Sequence, residues 1–157
     1  MPSDRSATPA SPLGRRNLPL LLLQAREIVI SHFRPILNAH GLTEQQWRIV
    51  RALLDAGPLE PREIVALCCI SSPSLAGVLS RMDTLGLVKR ERLAHDGRRV
   101  RVSLTPRSRG LATRMAPQIE AEYRRIESQL ASGAIGALSG TLDDMIARLR
   151  GSAPGAD

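Results

Sequence analysis

The stretch from Ser71 to Thr105 constrains the fold more than any other: S-S-P-S-L-A-G-V-L-S-R-M-D-T-L-G-L-V-K-R-E-R-L-A-H-D-G-R-R-V-R-V-S-L-T. Its first half has helical periodicity. Leu75, Val78, Leu79 and Met82 form one apolar stripe, with Ser72 as the expected N-cap and Pro73 as the first helical residue. The opposite stripe, Ser74, Gly77, Arg81 and Thr84, is small and polar with one long cation, so it suits close approach to another surface. Gly86 ends the helix. The second half changes period. Leu87 and Val88 open a strand, and Val100, Val102 and Leu104 alternate in the next, with the tip expected at His95-Asp96-Gly97-Arg98-Arg99 around an Asp-Gly turn signal.

Charge says what this helix and hairpin face. Nine cations and three anions between Ser71 and Arg109 leave +6 of the chain's formal +7 in a quarter of its 157 residues. A helix with a small polar face fits the major groove of duplex DNA, and a basic two-stranded wing meets phosphates. The expected DNA contacts are Ser72, Ser74, Gly77, Arg81, Asp96, Arg98, Arg99 and Arg101. Asp96 and Arg98, two residues apart on the hairpin tip, are expected to form an ion pair that poses the guanidinium for a minor groove. An ordinary surface pair worth under about 1 kcal/mol is the plain alternative.

These residues resemble the recognition helix and wing of the MarR family of winged-helix regulators. The family's wing pattern, Asp-x-Arg followed by alternating apolar residues and Leu-Thr, is present as Asp96-Gly97-Arg98, Val100, Val102 and Leu104-Thr105. The resemblance runs from about Leu18 to Leu149. Within the family it is strongest to the branch that governs homoprotocatechuate breakdown. Its carriers are L-P-L-L-L-L-Q-A-R-E (18–27), H-F-R-P-I-L (32–37), G-L-T-E-Q-Q-W-R (41–48) and C-C-I-S-S-P-S-L (68–75). It implies a mainly α fold with a small β-wing, a MarR-type winged helix-turn-helix in an intertwined homodimer.

The bulk properties agree. The length suits one domain or one protomer of an obligate oligomer. The pI near 11.1 calls for a polyanionic partner, nucleic acid or an anionic membrane surface. Phe33, Trp47 and Tyr123 are the whole aromatic set, too few for recognition by stacked bases. Leu18 to Leu23 is apolar, but Gln24, Arg26 and Glu27 follow far short of a membrane span. No signal peptide is visible, so a cytoplasmic protein with reduced Cys68 and Cys69 is expected.

Taken in order, residues 1–17 read as a disordered arm rich in Ser, Pro and Ala, carrying Arg15 and Arg16. Residues 18–42 and 106–150 read as a helical dimerisation region, 43–105 as the DNA-binding domain, and 151–157 as a flexible tail. Leu21, Leu22, Ala25, Ile28, Val29, His32, Phe33 and Ile36 make the first helix apolar over a wider face than one partner covers, and Pro35 should kink it or end its regular part. Thr43 and Gln46 form a capping box for a second helix, and Gly57-Pro58 ends it. Glu60 or Pro61 starts a short third helix. Thr105-Pro106 opens a long fifth helix with a core stripe of Leu111, Met115, Ile119, Ile126 and Leu130, bent at Pro117. A last helix carries Ile135, Leu138, Leu142, Met145, Ile146 and Leu149, expected to return onto the first helix and its twin.

A second constellation is softer. Arg26 and His32 lie along the first helix, and Trp47 and Arg51 stand one turn apart on the second. An apolar slot with one or two guanidinium groups suits a small aromatic carboxylate. The resemblance implies such an effector, of hydroxyphenylacetate or homoprotocatechuate type. Hydroxynicotinate, from heteroaromatic breakdown, is the alternative. The plain reading makes His32 and Trp47 core residues and the arginines salt-bridged. The peroxide-sensing relatives keep their reactive cysteine near the N-terminus, whereas Cys68 and Cys69 lie mid-chain and suit packing. The three histidines and two cysteines lack zinc spacing, so neither metal nor cofactor is expected. No phosphate loop, nucleophile elbow or carboxylate pair points to an enzyme. The leading expectation is a repressor released from a palindromic operator by its effector. An architectural DNA-binding protein without a ligand is the competitor.

Overall fold

The computed structural model describes residues 14–151. The arm expected over 1–17 and the tail over 151–157 therefore lie almost wholly outside the described residues. Six helices and one hairpin follow in the order α1 (Leu18–Ala39), α2 (Glu44–Ala56), α3 (Pro61–Cys68), α4 (Ser72–Thr84), β1 (Val88–Leu93), β2 (Asp96–Leu104), α5 (Pro106–Glu127) and α6 (Ala134–Arg150).

Local chemistry sets most boundaries. Thr43 Oγ1 accepts the Gln46 N–H at 3.1 Å, and Gln46 Oε1 accepts the Thr43 N–H at 3.0 Å, so α2 starts with the expected capping box. Glu60 precedes α3, with its N–H bonded to Glu63 Oε2 at 2.7 Å. The cap of α4 is Ser71 rather than Ser72. Ser71 has extended backbone and accepts the Ser74 N–H, while Ser72 already occupies the first turn and Pro73 its second position. Gly86, at φ +67°, carries the left-handed exit from α4. Thr105 caps α5 and also donates to the Gly86 carbonyl at 2.7 Å, tying the two ends of the hairpin together. Both α1 and α5 continue through their internal prolines, Pro35 and Pro117.

The hairpin differs from expectation at its tip. Leu93 pairs with Asp96, so Ala94 and His95 make the turn and Asp96-Gly97 already belong to β2. The register slips between Arg92 and Leu93, because Arg92 pairs with Val100. The extra residues of β2 bulge there, and bulges strengthen twist at a hairpin end. Val102 and Leu104 point inward as their alternation requires. Leu59, between α2 and α3, exchanges both backbone hydrogen bonds with Val102, at 3.0 and 2.8 Å, and so makes a one-residue third strand.

The core lies where α2, α3, α4 and the base of the wing meet α1 and α5. Leu37, Ile49, Leu53, Ile64, Leu75, Met82, Val102 and Met115 are fully enclosed. The helix pair α3–α4 bends by 110°, the angle of a helix-turn-helix. Cys69 in the turn has φ 50°, and it is the one non-glycine residue with positive φ among those described.

The first and last helices are not covered as the core is. No residue of α6 is buried, and Ile135 alone from this helix packs partly on the core. Leu138, Ile146 and Leu149 are exposed, as are Leu18, Leu20, Leu21, Leu23 and Ile28 of α1. Within one chain α6 does not cover α1. Leu130, expected in the stripe of α5, lies beyond the end of that helix and is exposed.

Candidate DNA interface and ligand cavity

The outer face of α4 has the expected make-up. Ser72, Ser74, Arg81 and Thr84 are exposed, and Gly77 is half-buried. A Cβ on Gly77 would lie 3.6 Å from Arg81 Nη1, so the guanidinium folds back along the glycine and keeps this face shallow. Ser74 donates its backbone N–H to Ser71 Oγ, and the two hydroxyls are bonded at 2.9 Å.

The wing arginines divide into two sets. Arg90 donates from Nε and Nη2 to Asp83 Oδ2, at 3.2 and 2.7 Å, fastening β1 to the last turn of α4. Arg99 is ion-paired with Glu60, fastening β2 to the start of α3. The Arg99 guanidinium holds the Glu60 carboxyl below its ordinary range, and Glu60 in turn raises Arg99. Arg92, Arg98 and Arg101 form the other set: all three are exposed and make no ion pair among the described residues, and Arg92 Nη1 donates to the Gly97 carbonyl at 3.5 Å. The expected Asp96–Arg98 side-chain pair is not formed. Asp96 Oδ1 instead accepts the Arg98 backbone N–H at 3.1 Å, an Asx turn that shapes the bulge beneath Arg98. Sequence spacing allowed either partner, and the N–H two residues on is the nearer donor.

Of the residues expected around an effector, three come together and one does not. A cavity of about 450 Å³ opens between α1, α2 and α5. Arg26, Trp47 and Arg51 line it, with Phe33, Ile119 and Tyr123 among its apolar walls. The Phe33 and Tyr123 rings lie 4.9 Å apart, tilted by 53°. His32 is absent from the lining. Its Nδ1 sits 2.8 Å from Glu122 Oε1 and binds α1 to α5. A histidine one residue before Phe33 projects about 100° round the helix from it, which takes it out of the slot.

Four polar cavity residues escaped the sequence reading: Glu44, Arg48, Asp55 and Tyr123 all line it. Arg48 lies four residues after Glu44, and that spacing was the available signal. Glu44 is a hub. Its Oε1 takes Arg26 Nη2 and, at 3.0 Å, Arg48 Nη2, and its Oε2 takes Arg34 Nη2 at 3.3 Å. Arg51 is looser, 3.9 Å from Asp55, a side chain 70% exposed. Its guanidinium is therefore the readiest to accept a carboxylate from a ligand.

The cysteines do different things. Cys68 is buried and Cys69 exposed. Burial pushes the Cys68 thiol up against a smaller downward pull from Arg48, the opposite of a reactive thiolate. No group of three or more potential metal ligands occurs among the described residues, and no single helix there is long and apolar enough to cross a membrane.

A winged helix-turn-helix with a basic, partly unpaired wing defines a DNA-binding regulator. Comparison with known proteins specifies which kind. A model of the MarR family matches residues 40–99. The homoprotocatechuate degradative operon repressor of Escherichia coli is 43% identical over 131 residues, covering 83% of this chain and 88% of that one. The chain belongs to the MarR family and is a transcriptional repressor. Among solved structures, NadR in complex with 4-hydroxyphenylacetate is 35% identical, with a TM-score of 0.76 over 83% of this chain and 93% of its own. Bordetella bronchiseptica BpsR, whose DNA binding is regulated by 6-hydroxynicotinic acid, is 25% identical. Its TM-score is 0.71 over 83% of this chain and 98% of its own.

Proposed function

We propose that the chain acts as a homodimer in the cytoplasm, holds a palindromic operator in duplex DNA, and leaves it when a small aromatic carboxylate fills the cavity. Operator contact falls to Ser72, Ser74, Gly77 and Arg81 of α4 and to Arg98 and Arg101 of the wing, with Asp96 shaping the tip and Arg99 bracing it. Trp47, Phe33 and Tyr123 give the ring apolar walls, and Arg51 takes the carboxylate, with Arg26 at the cavity's edge. His32 holds α1 against α5.

The observation that carries this reading is the cavity itself, about 450 Å³ of mainly apolar wall with a loosely held guanidinium. An architectural DNA-binding protein has no use for it. Hydroxyphenylacetate or homoprotocatechuate is the first effector class, in line with the E. coli repressor and the NadR complex. The BpsR structure favours hydroxynicotinate as the second.

A thermal-shift series tests the reading with 4-hydroxyphenylacetate, homoprotocatechuate, 6-hydroxynicotinate and the neutral 4-hydroxyphenylacetamide. A ligand at about 100 times its Kd adds about 2.7 kcal/mol of stability. An acid of the panel raises the Tm and the amide does not. A flat response to all three acids would remove the aromatic-carboxylate reading.

A further inference from the structure

Arg48 touches both ends of the problem. Its guanidinium lines the ligand cavity, where Nη2 bonds Glu44 Oε1 at 3.0 Å. Its Nη1 donates to the Cys68 carbonyl at 2.7 Å. Cys68 is the last residue of α3, and its carbonyl is one that the helix itself leaves without a donor. A cation there also meets the negative end of the helix. The next residue, Cys69, carries the strained left-handed backbone, and Ser71, the cap of the recognition helix, follows two residues later. The contact is returned from below, since Cys68 Sγ donates to the Arg48 carbonyl at 3.6 Å.

We propose that Arg48 is the positioning residue through which cavity occupancy reaches the recognition helix. The inference rests on the effector reading above. Arg26 and Arg48 share one oxygen of Glu44, and Arg34 holds the other. A ligand carboxylate in the cavity offers the Arg48 fork a second anion. The guanidinium turns toward it, the Cys68 carbonyl loses its donor, and the αL turn at Cys69 is no longer braced. The angle between α3 and α4 then relaxes from the one that fits DNA. An arginine fork can bridge a carboxylate and a carbonyl in one rigid plane, whereas a lysine ammonium has no such fixed geometry.

Arg48→Lys tests this, because it keeps the cavity's charge. The protein first selects its operator from a random duplex pool. Operator affinity is then measured with and without saturating 4-hydroxyphenylacetate. For the parent protein the ratio is expected on the order of 10- to 100-fold, and for Arg48→Lys it falls to about one even at ligand concentrations that saturate the variant. A parental ratio in Arg48→Lys overturns the proposal. A second readout needs no effector. In a Cys69→Asn background, with Asn suited to the left-handed turn, Cys68 is the one thiol available to a maleimide. Arg48→Lys should label several-fold faster than its parent. Equal rates overturn the proposal even if no ligand of the panel acts. A parent protein that ignores 4-hydroxyphenylacetate while Arg48→Lys labels faster supports the brace and sinks only that effector.

Discussion

Asp96 spends its carboxylate on the Arg98 backbone N–H, which makes two otherwise similar substitutions differ in sign. Asp96→Asn keeps an acceptor oxygen and removes a negative charge facing a polyanion, so it should bind operator as tightly as the parent or more tightly. Asp96→Ala loses the Asx turn and should bind more weakly, despite the same change of charge. Equal gains in both would mean that Asp96 acts through charge alone. Arg98→Ala should lower the slope of log affinity against log salt by about one unit and cost more affinity than Arg109→Ala. Both lose one cation, but Arg98 stands at the tip with no ion pair among the described residues. In the cavity, Arg51→Ala should keep operator affinity and lose the Tm shift produced by the active acid. An unchanged shift would move the carboxylate's partner to Arg26 or Arg48.

At the scale of elements, the wing is held by two ion pairs, Arg90–Asp83 to α4 and Arg99–Glu60 to α3. Glu60 has a lowered folded-state pKa, so its contribution to stability is complete above its ordinary value of 4.5 and is lost as pH falls through the lowered one. Urea unfolding of the parent and of Glu60→Gln should differ by a constant amount above pH 4.5 and converge in more acid solution. A difference that grew with acid would reverse the assignment. Elements were also what the sequence showed best. Caps and periodicities are short-range, and Thr43, Gln46, Gly86 and Thr105 did locally what their types dictate. The hairpin turn was misplaced because Asp-Gly is a strong turn signal only until tertiary register competes with it. Here the pairing of Leu93 with Asp96 moved the turn to Ala94-His95. The Leu59–Val102 bridge and the Arg48–Cys68 bond join residues 43 and 20 positions apart, and no local pattern marks them. The cavity was legible in Trp47 and Arg51, which share one helix. His32 was expected in the slot but lies outside its lining, next to Glu122, 90 residues away and beyond the reach of any local pattern.

For the whole molecule, the apolar surface left on α1 and α6 is the main energetic fact. Leu23, Ile28, Leu138 and Leu149 are 58, 63, 55 and 60% exposed in a single chain. Exposed apolar side chains in this number suit a subunit interface, and a two-fold dimer would place one α4 in each of two half-sites about one helical turn apart. Sedimentation at nanomolar concentration should show a dimer with no folded monomer. Ile146→Arg should shift it to monomer and abolish tight operator binding. A folded, operator-binding monomer would remove the two-fold account. The central claim joins dimer, operator and cavity, and fluorescence anisotropy of the protein on its selected, labelled operator tests it most directly. The selected site should be an inverted repeat with half-site centres roughly 10 bp apart. An acid that raises the Tm should return the anisotropy to that of free DNA, and 4-hydroxyphenylacetamide should not. A complex that stays intact at saturating concentrations of that same acid would contradict the account.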